Sequence, residues 1–301
     1  MNLPVWSLRS RPAAEHLFEG VLLLCGLFVI VSMTAILWVL LSGSLRFFEH
    51  VSVHQLIFAA ELPSLQAGVD VGILSLLSGT LLTSVLAVVV SLPLGLLSAI
   101  YLSELAPPVL ERVISPAFEF LSLIPTVVFG YFALFFCTPL LQRLLPELGP
   151  HSALSSGLVM GIMLTPFVAV LSVEALRAVP PSLREAACAL GVSRLVTIFR
   201  VVLPAARVGI LSAVALSAAR AFGESMIVSI AAGHRPGVTL DPLDPVETMT
   251  SYILSLTLSD GAVDTAGRSV VFVVGGVLFL FTVLMHHIGQ RLSPGVRGSS
   301  W

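Results

Sequence analysis

The chain contains no lysine: its 15 basic residues are all arginine. A P-loop of the form G-x-x-x-x-G-K-[ST] needs a lysine to reach the nucleotide phosphates, so this chain cannot power itself by that route. Charge of either sign is scarce, with 11% of residues charged against roughly 25% in ordinary soluble proteins. No basic tract invites nucleic acid, and the formal net charge is only -2. Cysteine is nearly absent. Cys25 and Cys137 lie in apolar runs and Cys188 in a polar stretch, so no disulfide or metal framework is implied. Histidines are scattered, and His286-His287 reads as an interfacial pair at the end of the last apolar run.

What remains is apolar: 56% of the 301 residues are hydrophobic. Runs at 21–41, 74–102, 120–142, 152–173, 208–233 and 269–290 carry few or no charges, and each reaches the ~20 residues a membrane helix needs. The expected fold is an all-α integral membrane protein with six transmembrane helices. The first run follows Arg9 and Arg11 without a small-residue cleavage site and reads as a retained helix. The second is overlong and is expected to tilt or kink. With six spans, Arg9, Arg11, Arg112, Arg177, Arg184, Arg194, Arg200, Arg207, Arg291 and Arg297 fall on one side, and Arg46, Arg143, Arg235 and Arg268 on the other. The arginine-rich side is cytoplasmic by the positive-inside rule, which puts both termini inside. The expected organisation is a cytoplasmic lead (1–20), a first span with an outer loop (21–73), a five-span core (74–290) and a cytoplasmic tail (291–301).

The stretch 178–204, AVPPSLREAACALGVSRLVTIFRVVLP, lies between two spans on the cytoplasmic side. Ser182 and Glu185 have capping-box spacing, predicting a helix that starts after Pro180-Pro181. Gly191 is expected to end it in the left-handed conformation. Ser193 then caps a second short helix that Pro204 bounds. Two short helices outside a membrane make a stiff protrusion. Glu185-Ala186-Ala187, Gly191 and Leu203-Pro204 resemble the EAA loop of ABC importer permeases, E-A-A-x(3)-G-x(9)-I-x-L-P, with Val201 in place of the usual Ile. The resemblance implies a type I ABC importer permease fold in which this loop is a coupling helix docking on an ATP-binding subunit.

Further stretches are similar to the PstC-type permeases of phosphate importers. They are Gly79-Thr80 through Tyr101-Leu102-Ser103-Glu104, Ile124-Pro125-Thr126-Val127-Val128-Phe129-Gly130, and Glu174 through Pro180. That family implies a second, PstA-like permease, two PstB-like ATP-binding subunits that hold ATP and Mg, a PstS-like external phosphate-binding protein, and a bacterial cytoplasmic membrane. No cofactor is expected in this chain itself.

The fifth run holds the only charges placed deep in the membrane, Arg220 and Glu224 in RAFGES. Such charges mark a pathway or pair with each other. Ala213, Ser217, Arg220 and Glu224 are spaced to share one helical face, expected to line the bundle interior, and Gly223 leaves room for a close neighbour. One reading is a self-satisfying i,i+4 ion pair. The other is a substrate path through Arg220, Glu224, Ser217 and Ser225, which the resemblance implies because phosphate permeases share an R-A-x-G-E-[T/S] pattern. Guanidinium matches phosphate oxygens as a planar fork. Glu224 would accept the proton that phosphate keeps and sulfate lacks, or else neutralise Arg220 at rest.

Pro93, Pro125 and Pro166, one in each of three consecutive spans, are candidate helix bends. Phe47, Phe48, Leu56, Ile57 and Phe58 are expected to anchor or pack the first outer loop. The segment 234–267, with its Asp-Pro-Leu-Asp-Pro turn, reads as an outer-surface helix, a dock for a delivery protein or a lid. Three alternatives stay open: a permease for molybdate or sulfate, a secondary transporter or channel that uses no ATP, and an intramembrane enzyme.

Overall fold

A computed structural model describes residues 13–49, 72–258 and 265–292. Its described elements are helical. The helices are α1 (Ala13–Phe48), α2 (Ile73–Ile100), α3 (Pro108–Leu123), α4 (Thr126–Phe132), α5 (Thr138–Leu144), α6 (Ala153–Arg177), α7 (Pro181–Ala189), α8 (Arg194–Thr197), α9 (Leu203–Phe222), α10 (Met226–Ala231), α11 (Met249–Leu258) and α12 (Thr265–Leu292). Among the described residues, six helical stretches are long and apolar enough to cross a membrane: Phe18–Phe48, Ile73–Leu105, Thr126–Leu144, Ala153–Arg177, Arg194–Phe222 and Val270–His287. Span four is the hub, its apolar middle mostly buried within the chain, whereas the apolar middle of span one has no buried residue and lies at the periphery.

Spans two and four meet along a seam of small residues. Gly79, Thr83, Ala87, Ser91, Gly95 and Ala99 recur every four residues on α2, and all are buried. Ala153, Gly157, Gly161, Thr165 and Ala169 recur likewise on α6, all buried but Thr165. A Cβ added at Gly157 would lie 2.6 Å from Leu86 Cβ, and one at Gly161 would lie 2.6 Å from Val90 Cβ. Lipid gives no hydrophobic drive for helix pairing, so such close backbone approach is what holds the two spans together.

Three helices pass through a widened turn, at Tyr101–Leu105, Ala133–Cys137 and Ile198–Val202. Each turn closes with an amide five residues on: Ala106 to Tyr101 O, Thr138 to Ala133 O, Leu203 to Ile198 O. In every case the next residue is proline (Pro107, Pro139, Pro204). Proline has no N–H and its ring clashes with the carbonyl four residues back; slipping the register by one residue removes that conflict. The helix therefore runs on through Pro139 and Pro204 and stops only at Pro107. Pro204 does not bound a short second helix, because α8 continues through its wide turn into α9.

Two further expectations change. The polypeptide between spans two and three is no short link, since 108–123 forms the amphipathic α3, none of whose residues is buried. Span three starts at Thr126 and not near 120, because Pro125 holds Ile124 extended (φ -64, ψ 126). Pro125 thus separates two helices and bends neither, whereas α2 and α6 run unbroken through Pro93 and Pro166. At the outer end Phe47 is buried with Ile73, Leu76, Met249, Tyr252 and Val273. Leu56, Ile57 and Phe58 lie outside the described residues.

Candidate translocation and coupling sites

The cytoplasmic knob is built by backbone chemistry. Pro181 occupies the first position of α7, where its missing N–H is no loss. Ser182 therefore falls inside the helix and the capping box does not form; no side chain caps this end. Gly191 does what its residue type predicts. At φ 73 it lets its own amide reach Cys188 O (2.9 Å) and the Val192 amide reach Ala187 O (3.2 Å), the paired bonds of a Schellman end. Ser193 sits at the start of α8 without a capping side-chain bond. Ala187 is buried, while Glu185, Ala186 and Leu190 are exposed, so α7 rests on one face and offers the other. Leu203 continues the helix into span five.

Arg184 moors this knob. Its guanidinium takes both oxygens of Glu104, at 2.8 and 3.4 Å. It also donates to the carbonyls of Val179 (2.7 Å) and Leu176 (2.9 Å) at the end of α6. Arg194 donates to the Glu104 carbonyl. The loop is thus tied to the inner ends of spans two and four, over an apolar cluster of Ala99, Leu176, Val179, Ile198 and Val202. The sequence signal for this clamp is slight: an acidic residue ending span two and a basic one opening the loop.

Span five ends sooner than hydropathy suggests. α9 stops at Phe222, Gly223 to Ser225 break the helix, and α10 resumes for six residues. Ala213, Ser217 and Ala221 form the buried stripe of α9. Arg220, one position off that stripe, is exposed, and Glu224 lies beyond the helix end, so the expected four-residue face is split. Ser217 donates to Val214 O within its own helix. Nothing packs on Gly223, where an added Cβ would meet no atom closer than 3.7 Å.

Arg220 and Glu224 are not paired. Glu224 Oε1 accepts from the amides of Met226 (3.0 Å) and Ile227 (3.3 Å), neutralising the start of α10. Its backbone carbonyl accepts from Thr250 Oγ1 at 2.7 Å, which ties the break to α11. The Arg220 guanidinium lies over the Phe167 ring, 5.3 Å from its centre. Phe167 is near the middle of α6, so the charge sits at membrane depth. Phe167 and Thr250 carry no sequence signal beyond residue type.

The outer segment turns inward. The carbonyls of Asp244 and Pro242 accept from Ala153 (3.0 Å) and Leu154 (2.7 Å), closing the start of α6 beside the Ser152 cap. The first turns of α11 are buried, and Met249 donates to Thr80 Oγ1 at 3.0 Å. Glu247 is buried with His234 3.6 Å away. Burial pushes the Glu247 carboxyl up, and the His234 charge pulls it partly back.

The described residues thus carry six spans, a knob clamped at the inner face and a helix broken at membrane depth. Residues 91–298 match the family described as "Binding-protein-dependent transport system inner membrane component", and the chain belongs to it. Among its relatives, the phosphate transport system permease protein PstC of Haemophilus influenzae is 30% identical over 291 residues, 90% of each chain. A probable ABC transporter permease of Bacillus subtilis, YqgH, is 32% identical over 73% of this chain and 72% of its own. A chain of a bacterial alginate ABC transporter shares the fold with a TM-score of 0.61 and 17% identity, covering 94% of this chain and 99% of its own. The chain is thus a multi-pass, non-catalytic permease subunit of an ABC importer, in which ATP is hydrolysed by separate subunits.

Proposed function

We propose that this chain is the PstC-like permease of a phosphate importer in a bacterial cytoplasmic membrane, with both termini inside. It pairs with a PstA-like permease, two PstB-like subunits that bind ATP and Mg, and a PstS-like external phosphate-binding protein. The reading is supported most by Arg220, a cation at membrane depth that no carboxylate among the described residues neutralises. A guanidinium in that position is costly unless an anion or a partner group meets it. Phosphate, with four oxygens and a retained proton, suits a planar fork of donors beside a carboxylate. Arg220, Glu224, Ser217 and Ser225 belong to this half of the path, and the partner permease supplies further cations.

The knob formed by Glu185, Ala186, Ala187 and Gly191 docks on the ATP-binding subunit, and Leu203 and Pro204 carry its displacement into span five. The test is to purify the assembled complex, identify its chains, and follow uptake of labelled phosphate against unlabelled sulfate and molybdate. Co-purifying ATP-binding subunits and competition by phosphate alone are expected. Competition by molybdate or sulfate would reassign the substrate, and transport by the chain alone would overturn the reading.

A further inference from the structure

We propose that Phe167 is a positioning residue for the translocated oxyanion: its ring steadies the Arg220 guanidinium and leaves its N–H donors to the path. The inference rests on the reading of Arg220 as part of that path. The two side chains come from different spans, α6 and α9, and meet with the guanidinium carbon 5.3 Å above the ring centre. That is within the ~6 Å over which a ring quadrupole holds a cation.

Arg220 makes no hydrogen bond and no ion pair among the described residues. Glu224, four residues on, spends Oε1 on the Met226 and Ile227 amides. A guanidinium binds in two independent ways, through its π face to an aromatic ring and through five N–H donors at its edge. Here the ring takes no donor, and none of the five has a hydrogen-bond partner among the described residues. A second carboxylate would neutralise the charge and occupy the donors, whereas a ring steadies the charge and occupies none. Phe167 therefore lets one arginine be held in place at membrane depth and still offer a bidentate edge to an oxyanion.

The test is maximal uptake of labelled inorganic phosphate by the assembled importer carrying Phe167→Leu, Phe167→Tyr or Phe167→Trp, with Arg220→Gln alongside. Complex recovery is measured for each variant. Phe167→Leu keeps apolar bulk and removes the ring, and is expected to lower the maximal rate about three- to tenfold. Phe167→Tyr and Phe167→Trp are expected to retain most of it. Half-saturation, governed by the external delivery protein, should stay unchanged. Equal rates for Phe167→Leu and the parent would overturn the inference, as would an equal fall in the leucine, tyrosine and tryptophan variants, which would make the ring mere packing. Unchanged uptake in Arg220→Gln would instead overturn the assignment of Arg220 to the path.

Discussion

Arg184 and Arg220 are the same residue put to opposite uses. Arg184, at the inner membrane face, is spent: both Glu104 oxygens and two carbonyls occupy its donors, and its side chain is 26% exposed. Arg220, at membrane depth, touches a ring and, among the described residues, nothing ionic. The first arginine is built into the structure. The second has no such tie among the described residues. A charge count of the sequence treats them alike, so the distinction lies wholly in what the fold brings to each guanidinium.

The comparison breaks first on stability. Arg184→Gln leaves a nearly buried Glu104 carboxylate and two carbonyls without their donor, and should cost about 2–3 kcal/mol in thermal or denaturant unfolding of the complex. Arg220→Gln should cost under ~0.5 kcal/mol, because it removes one ring contact and relieves an unneutralised charge. Equal losses would erase the contrast. Next, Gly191→Ala forces a side chain into the left-handed region and should cost about 1–2 kcal/mol, read as lower complex recovery and weaker coupling of ATP hydrolysis to uptake.

A smaller effect separates the two roles of Glu224. Glu224→Ala loses the acceptor for the first amides of α10 and should destabilise by ~1 kcal/mol, while Glu224→Gln keeps an acceptor and should be nearly neutral. If the glutamine variant also leaves the phosphate-over-sulfate preference unchanged, Glu224 is a cap and no selector. The smallest effect concerns Glu247. Its carboxyl is raised in the fold, so the buried group favours the folded state when protonated. That contribution is present below the ordinary carboxylate range and lost as pH rises through the raised value. Glu247→Gln should flatten the fall in melting temperature across this interval. An unchanged pH slope would place the titration elsewhere.

Much of this was legible in residue order. The six spans follow from run length, and the knob follows from Glu185-Ala186-Ala187 with Gly191, whose left-handed φ is the conformation its residue type favours. The seam between spans two and four is also written plainly, as small residues every fourth position from Gly79 to Ala99. The break in span five is not. Residues 208–233 form one apolar run, and an apolar run looks the same whether its helix is continuous or interrupted at Gly223. The capping box misled because Pro181 already occupied the first helical position and pushed Ser182 one residue too deep. Pro204 misled because a proline forbids one hydrogen bond without forbidding a helix that slips its register just before it. Phe167 and Thr250 were invisible for a simpler reason, since their partners lie far away in sequence.

The most direct measurement compares ATP hydrolysis and phosphate uptake in the assembled importer carrying Arg220→Gln. With Arg184 and the knob intact, hydrolysis stimulated by the delivery protein should persist while uptake falls by about two orders of magnitude, the scale of losing a charged group matched to a passing anion. Uptake at the parental rate, with the complex assembled, would contradict the account.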